Sequence, residues 1–423
     1  MRLRDFVRGE FVRQVAVLSS GTALGQLIVA AVTPLLTRLY TPTDIGTFGL
    51  LASFIGVASV AANLRIDFAI ASVGNPELAN RLLVLCLVVC PAVSLLLAGV
   101  LGLLIGSATL SFDVLPFWAV PLTAVAVLAT GIFTALRYWH VANQRFGEVG
   151  KALVSQGIGR AGSSVALGLA GLGWAGLALG DLVGRVLGIG RLWTEARQVV
   201  RSESWYGKDA SVRLRETLRR VSRFPLVVLP SSLIDAFAAA LPLPVIATLF
   251  GPAAAGQFAL VWRVAAIPGA LVASSVGDVF QAHASISHAQ GDAQQLRRLL
   301  LATMGRLAAV AALVFMPLCV ISPMAFPWVF GAEWATAGRM MLLLLPMWFA
   351  GMLVSPVSRL PMVVNRPGLK LMFDVAFLVA PIGALVIFAP MGLETATLAF
   401  GIAATAAYLG FGLVLLWLVR SDG

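Results

Sequence analysis

Long apolar stretches separated by short polar turns recur along the whole chain. Each has about the 20 residues that an α-helix needs to cross the hydrocarbon core of a bilayer. They lie at 15–40, 44–71, 82–107, 116–140, 150–170, 174–194, 224–249, 256–282, 298–322, 337–362, 369–389 and 394–419. The pattern therefore predicts an all-α polytopic membrane protein with about twelve transmembrane helices.

One of the turns, with its flanking apolar residues, occurs twice. Segments 34–50 and 244–260 are in ungapped register, and both join one apolar stretch to the next. The identical pairs are Pro34/Pro244, Leu39/Leu249, Pro42/Pro252, Gly46/Gly256, Phe48/Phe258 and Leu50/Leu260. Ordinary turn preference explains the prolines and glycines, but it does not explain the shared register. The pattern indicates an internal duplication, and the alternative is a chance likeness between two helix joints.

The duplication predicts how the chain is divided. We expect an interfacial amphipathic segment at 1–13, a six-helix lobe at 14–194, a basic cytoplasmic linker at 195–223 and a second six-helix lobe at 224–423. Because six is an even number, both lobes enter the membrane from the same side. The repeats are then parallel and related by a pseudo-twofold axis along the membrane normal.

Composition supports lipid as the main solvent. Hydrophobic residues make up 59% of the chain, charged residues 12%, and the mean hydropathy is +0.94. Soluble domains have about 25% charged residues. The chain has three cysteines, which do not form a disulfide framework pattern.

The net charge of +11 would indicate nucleic acid in a soluble protein, but the position of the basic residues changes that interpretation. Lysine and arginine concentrate in the predicted inner segments and are absent from the predicted outer loops. These loops are 41–43, 108–115, 171–173, 250–255 and 390–393. The bias places both termini in the cytoplasm. The basic linker is then expected to contact anionic membrane lipids, not nucleic acid.

Charged residues inside the apolar stretches are the best functional candidates, since each costs about 2.5–3.5 kcal/mol at a helix centre. The candidates chosen from among them are Arg65, Asp67, Asp181, Arg185, Asp235, Arg263, Asp278 and Arg306. Asp181 and Arg185 lie one turn apart on a helix with glycine at every fourth position from Gly176 to Gly188. We expect this helix to pack tightly and the pair to be structural.

Asp235 and Arg263 have no charged counterpart in the first repeat, where Gly25 and Ser53 take their places. A charge needed to build a duplicated fold should occur in both halves. Their presence in one half favours a function, and the alternative is that they neutralise each other.

Signatures of enzymes are absent. The chain has no GxxxxGK, HExxH or GxSxG motif, and its three histidines lack acidic partners at metal-ligand spacing. We therefore expect no catalytic activity, no metal and no cofactor, apart from a coupling ion of unknown identity.

Two segments carry a resemblance to a known family. The first is SSGTALGQLIVAAVTPLLTRLYTPTDIGTFGL from Ser19, and the second is RIDFAI from Arg65. They resemble the oligosaccharide flippases of the polysaccharide-transporter branch of the multidrug/oligosaccharidyl-lipid/polysaccharide exporter superfamily. The resemblance puts Arg65 and Asp67 on the charged pair of that family, and Arg38 on an arginine often seen before the first outer turn.

The resemblance implies two lobes around a central cavity that opens to each leaflet in turn. The cargo would be a lipid-linked oligosaccharide of the undecaprenyl-pyrophosphate type, moved from the cytoplasmic to the periplasmic leaflet of a bacterial inner membrane. It would serve surface polysaccharides such as O-antigen, lipopolysaccharide or exopolysaccharide, with a polymerase and glycosyltransferases as further partners. The cavity candidates are Arg263, Arg306, Arg65, Asp235, Asp67 and Arg38.

Two other functions compete with this hypothesis. A cation-coupled multidrug extruder of the same superfamily also has twelve helices, and its cavity should be lined by carboxylates. A membrane-embedded glycan polymerase or ligase would need a large outer loop, and the longest predicted one lies near 323–336.

Overall fold

The computed structural model describes the backbone of residues 3–202, 217, 221–364 and 366–421, and most side chains from residue 20 onward. This part of the chain is helical and contains no strand. The helices are α1 Leu3–Leu39, α2 Pro42–Ala61, α3 Ile66–Ser72, α4 Pro76–Gly106, α5 Ala119–Ala142, α6 Phe146–Leu169, α7 Gly173–Ser202, α8 Leu229–Ala240, α9 Pro242–Ala289, α10 Ala293–Phe330, α11 Ala335–Val354, α12 Leu360–Val363, α13 Pro367–Phe388 and α14 Leu393–Ser421. Short 3₁₀ or π turns occupy Thr109–Val114, Phe224–Val228, Ala332–Trp334, Ser355–Val357 and Ala389–Met391.

The predicted fold class is confirmed. Most of each predicted membrane stretch is helical, and eight segments of the described chain are long and apolar enough to cross a membrane on those grounds alone. Helices α6 and α7 are not among these eight. Both carry several glycines and charged residues, which lower their apolar character.

The chain divides into two compact units, Met1–Ala240 and Leu241–Gly423. Helix α8 belongs to the first unit, where it packs against α2. The predicted linker 195–223 lies largely outside the described residues, and its first part continues α7 to Ser202. The side chains of the predicted interfacial segment 1–13 also lie outside them.

Three predicted helix boundaries are wrong. The stretch 44–71 is interrupted between α2 and α3, where Leu64 and Arg65 have φ angles of 50° and 60°. The predicted outer loop at 250–255 is helical, with a break only at Gly251. The predicted loop near 323–336 is short because α10 continues to Phe330. Neighbouring helices in a membrane protein can satisfy the backbone groups that prolines free, so the prolines in α10 do not end it.

The interruption between α2 and α3 depends on a tertiary contact. Asn63 is buried just before the left-handed residues, and its side-chain amide donates to the carbonyl of Gly131 on α5 at 2.8 Å. Neither Leu64 nor Arg65 favours a left-handed backbone in isolation. Packing against α5 therefore decides where the helix breaks.

Both copies of the sequence repeat lie at a joint between helical segments. In the first copy, the Thr41 hydroxyl accepts from the backbone N–H of Asp44 at 3.1 Å, and the Asp44 carboxylate accepts in return from the Thr41 N–H at 3.1 Å. This reciprocal cap starts α2. In the second copy, Gly251 has a φ of 86°, a conformation that favours glycine, and the helix resumes at Pro252.

Each joint is also bonded to a helix from another hairpin of its own unit. Asp44 accepts from the backbone N–H of Trp174 on α7 at 2.9 Å. Gln257 donates to the carbonyl of Glu333 at 2.7 Å and accepts from the N–H of Ala337 at 2.9 Å. Polar side chains therefore connect both joints to their neighbours, although the residue types differ.

Glycines let α1, α6 and α7 approach one another closely. A Cβ atom added at Gly157 would lie 2.7 Å from the carbonyl oxygen of Gly25, and one added at Gly184 would lie 2.8 Å from that of Gln156. Tyr40 at the end of α1 donates to the carbonyl of Ser164 on α6 at 2.6 Å. The predicted tight packing of the glycine-rich helix is confirmed at these contacts.

Apolar cores hold the rest of each unit together. In the first unit, Ile66, Leu82, Leu136 and Leu192 bring α3, α4, α5 and α7 into one buried cluster. In the second unit, Phe280, Leu300, Val357, Leu360, Phe411 and Leu415 form a cluster that contains residues of α9, α10, α12 and α14.

The close contact of α1 with α6 predicts opposite effects for two glycines of the same helix. We expect Gly157→Ala to lower stability by about 1–3 kcal/mol, because its Cβ has no room against α1. Gly162→Ala is the control, since a Cβ there meets nothing within 4 Å. It should be neutral or stabilise by up to about 1 kcal/mol through helix propensity. Thermal unfolding of the detergent-solubilised protein measures both, and equal losses would contradict the packing argument.

Candidate functional site

Helices α6 and α7 bring two arginines to one aspartate inside the first unit. The Nε of Arg185 lies 2.6 Å from Oδ2 of Asp181, and a guanidinium nitrogen of Arg160 bonds the other carboxylate oxygen. A second guanidinium nitrogen of Arg185 donates to the hydroxyl of Thr130 on α5. We call Arg160, Asp181 and Arg185 the deep cluster.

The three side chains are buried to different degrees. Asp181 is 6% exposed, Arg185 15% and Arg160 34%. Arg160 is therefore the member most accessible to a ligand, while Asp181 and Arg185 are more deeply buried behind it.

A cavity of about 230 Å³ adjoins the deep cluster. It lies between α1, α6 and α7, and its lining residues are Gly25, Gln26, Val29, Leu153, Gln156, Gly157, Arg160 and Arg185. Two side-chain amides and two guanidinium groups thus line a cavity between tightly packed apolar helices. A lining of this kind suits an oxygen-rich anionic ligand better than an apolar one.

The deep cluster has an excess of positive charge. Two guanidinium groups share one carboxylate, so the three side chains together carry a net charge of +1. Arg160 is fourteen residues into α6, which begins at Phe146, so it lies roughly 21 Å along that helix. A charge at this depth costs free energy unless it is paired, which makes the deep cluster a candidate ligand site.

The sequence pattern identified half of this arrangement. It predicted the Asp181–Arg185 pair, which the structure confirms as a contact one helical turn apart. It missed Arg160, which enlarges that pair to a cluster. A signal was present, because Gln156, Arg160 and Ser164 recur at every fourth position of α6 and place polar groups along one face.

Arg65 and Asp67 lie in a second polar cluster of the first unit. Asp67 is buried and interacts electrostatically with Arg65 and with Arg137 on α5. The Arg65 guanidinium also lies over the ring of Phe68, 4.7 Å from its centroid. Arg137 is seven residues from Thr130 of the deep cluster, which corresponds to about 10 Å along α5.

The other sequence candidates lie apart from the deep cluster. Arg38, in the last turn of α1, and Asp235 on α8 are exposed. In the second unit, Arg306 on α10 is exposed and Arg263 on α9 is partly buried. Among the described residues of its own unit, none of these four makes an ion pair. The structure gives no further contact that assigns them a role.

Histidine and acidic side chains do not form a metal site in the described part of the chain, where no group of three such residues comes together. His140 is buried, and its Nε2 lies 3.5 Å from a carboxylate oxygen of Glu195. Its other ring nitrogen bonds the carbonyl of Leu136 at 2.9 Å, so it is held within the helix end.

A protein-family model described as "Polysaccharide biosynthesis protein" matches residues 35–338. No curated protein sequence matches the chain significantly.

Solved structures show the fold. An inward-facing multidrug resistance MATE family transporter of the MOP superfamily is 17% identical, with a TM-score of 0.68 over 97% of this chain and 95% of that one. A MOP superfamily transporter from Pyrococcus furiosus is 16% identical, with a TM-score of 0.60 over 97% and 96%. A Vibrio cholerae MATE transporter is 14% identical, with a TM-score of 0.57 over 98% of each chain. The chain is thus a multi-pass membrane protein with the MOP transporter fold.

The deep cluster predicts strong coupling between its members. Asp181→Asn should cost about 2–4 kcal/mol, because it leaves two partly buried guanidinium groups without their shared partner. Adding Arg185→Gln should recover about 1–3 kcal/mol, since it removes one of the two stranded charges. Thermal unfolding of the two single variants and the double variant measures this coupling. Additive losses would show that the contacts do not act as a unit.

Proposed function

Since the chain belongs to the polysaccharide biosynthesis protein family matched over residues 35–338, we propose that it carries a lipid-linked oligosaccharide across the bacterial inner membrane. The cargo passes from the cytoplasmic to the periplasmic leaflet and serves surface polysaccharide synthesis. The observation that supports this most is the deep cluster, in which two arginines share one aspartate beside a polar cavity.

The chemistry of a pyrophosphate-linked sugar fits that cavity. A guanidinium group offers two parallel N–H donors to phosphate oxygens, a match that an ammonium group does not provide. Asp181 holds Arg160 and Arg185 in place and offsets part of the cost of burying them. The amides of Gln26 and Gln156 can hydrogen-bond phosphate or sugar oxygens.

The membrane potential can supply the driving force. Moving one elementary charge across the membrane changes the free energy by about 2.3 kcal/mol per 100 mV. With the cytoplasm negative, outward movement of an anionic phosphate group is favourable. Asp67 would hold Arg65 and Arg137 in position at the second polar cluster, or bind a coupling ion there.

The remaining candidates are proposed as further contacts. Arg263 and Arg306 in the second unit would offer cations to phosphate or acidic sugars, and Asp235 would orient a cationic partner or the substrate. Arg38 lies in the last turn of α1, where its exposed side chain can reach lipid phosphate at the membrane surface.

Multidrug extrusion is the second candidate, and the solved multidrug transporters of the same fold favour it. The excess of arginine in the deep cluster argues against a cationic drug, because like charges repel in a cavity of low dielectric constant. The structure of the Pyrococcus furiosus transporter is described as having a binding pocket of reverse polarity, which suggests a different function for that protein. The same reasoning favours an anionic cargo here.

The structure gives the hypothesis of a glycan polymerase or ligase less support than the sequence did. The loop with the greatest predicted length shrinks to the few residues between Phe330 and Ala335. Detectable extension of a glycan chain by the purified protein would restore this alternative.

A deletion strain tests the proposed function. We expect lipid-linked precursors to accumulate on the cytoplasmic side and surface polysaccharide to be lost, in a background with no redundant transporter. Normal arrival of precursors in the periplasm would show the assignment to be wrong. Export of cationic dyes that disappears on deletion, with polysaccharide unchanged, would support the multidrug alternative.

Complementation of that strain tests the deep cluster. Arg160→Gln should reduce polysaccharide export about tenfold or more, because it removes a charged hydrogen-bond donor to phosphate. Arg298→Gln, at an exposed position on α10, removes the same charge outside the cavity and should complement fully. Membrane abundance is compared for both variants. Equal export by the two variants would exclude Arg160 from substrate binding.

Arg263 has a test of its own. We expect Arg263→Ala to lower export while protein abundance stays near that of the wild type, because a substrate contact is lost and the fold is kept. Immunoblotting of membranes beside the export assay separates the two effects. Parallel loss of abundance and export would indicate a packing role instead.

A further inference from the structure

A second group of charged residues on α6 and α7 repeats the composition of the deep cluster. Glu148 accepts from Lys151 at 2.7 Å through one oxygen and from the Nε of Arg191 at 3.4 Å through the other. Two basic side chains thus share one carboxylate, as Arg160 and Arg185 share Asp181. We call Glu148, Lys151 and Arg191 the outer cluster, because it lies nearer the ends of α6 and α7 than the deep cluster does. The name does not refer to the outer side of the membrane.

The outer cluster adjoins a cavity of about 450 Å³. Its lining residues are Ser20, Gly21, Leu24, Gly147, Gly150, Lys151, Val154, Ser155 and Arg191. The side chains of Lys151 and Arg191 are 59% and 46% exposed, so they can turn towards a ligand in this cavity. The hydrogen bond from Lys151 also holds the pKa of Glu148 below its ordinary value. The carboxylate is therefore ionised at neutral pH, and the cluster carries one uncompensated positive charge.

The two cavities follow each other along the same pair of helices. On α1, the outer cavity is lined by Ser20, Gly21 and Leu24, and the deep cavity by Gly25, Gln26 and Val29. On α6, Lys151 precedes Arg160 by nine residues, which corresponds to about 13 Å of helix rise. Nine residues are about two and a half helical turns, so these two side chains lie on opposite faces of α6, and the close contact of α1 with α6 separates the two cavities.

The orientation predicted from the sequence places the outer cluster near the depth of lipid headgroups. Lys151 and Arg191 lie at the end of the α6–α7 hairpin that the distribution of basic residues assigns to the cytoplasmic face. Phosphate groups of lipids and of lipid-linked sugars occur at that depth. A cation pair with residual positive charge beside an open cavity is a suitable partner for them.

We propose that the outer cluster is a phosphate-binding site at which the headgroup of an anionic lipid docks. This inference rests on the proposed function for the identity of the cargo, but not for the binding of phosphate. Lys151 and Arg191 bind the phosphate oxygens. Glu148 orients both cations and reduces their attraction for an anion by its own charge.

Binding of farnesyl pyrophosphate to the full-length protein in phosphatidylcholine nanodiscs tests the site. Isothermal titration calorimetry, with empty nanodiscs as the blank, should give two sites in the wild type. Lys151→Gln combined with Arg191→Gln should abolish one site or weaken it about tenfold or more, since two charged donors are lost. Arg160→Gln should affect the other site, and Arg298→Gln neither.

A substitution of Glu148 distinguishes a binding role of the outer cluster from a purely structural one. Glu148→Gln removes the negative charge from the outer cluster, and we expect it to tighten the outer site about threefold or more through the gain in local positive charge. Loss of stability alone would weaken binding instead. Unchanged binding in the Lys151 and Arg191 double variant, or weaker binding in Glu148→Gln at an unchanged melting temperature, would overturn the proposal.

Replacing part of the phosphatidylcholine by phosphatidylglycerol identifies the source of the phosphate. Displacement of the probe from the outer site assigns the site to membrane-lipid headgroups, and retention of the probe assigns it to the pyrophosphate of the cargo. The outcome of this binding experiment does not depend on the outcome of the deletion-strain experiment that tests the proposed function. Normal polysaccharide export in the deletion strain would remove the flippase assignment, whereas the dependence of binding on Lys151 and Arg191 would still stand.

Discussion

Charges inside a membrane helix need partners, and the first unit meets this constraint by sharing one carboxylate between two guanidinium groups. Asp181 bonds both Arg160 and Arg185, and Arg185 bonds Thr130 as well. The attraction offsets the cost of removing the groups from water only if their positions are held closely. The packing of α1, α6 and α7 supplies that precision. Glycines at the contacts bring the backbones together and leave the longer polar side chains to fill the remaining space.

Incomplete neutralisation of the deep cluster supports the proposed binding of an anion. A cluster with equal numbers of carboxylate and guanidinium groups would have no net charge. One carboxylate and two guanidinium groups leave a net positive charge, which attracts anions. The same proportion occurs at Glu148, where Lys151 and Arg191 share the carboxylate. The first unit therefore has two places at which the proposed phosphate ligand would meet residual positive charge. Because each cluster also contains its own acid, neither place would need to hold the phosphate tightly.

The fold constrains cargo less than the clusters do. Transporters with different cargoes share this architecture, and the likeness to multidrug transporters extends over nearly the whole chain at low identity. The chemistry of the lining residues therefore has to decide between a cationic and an anionic ligand. In the first unit, the arginines beside the cavity favour an anion. Membership of the polysaccharide biosynthesis protein family supports the proposal of a glycan cargo.

Apolar length and periodicity were sufficient to predict the helical membrane fold, and the repeated joint at Pro42 and Pro252 was visible because its register is local. The pairing of Asp181 with Arg185 was equally accessible, since residues four apart on a helix always meet. Tertiary structure alone decided the rest. Arg160 joins that pair from another helix, and Asn63 breaks α2 through a bond to Gly131. Local spacing can mark Arg160 as a polar position on α6, but it does not give the partner in either contact, because both contacts depend on which backbones approach closely enough for distant side chains to touch.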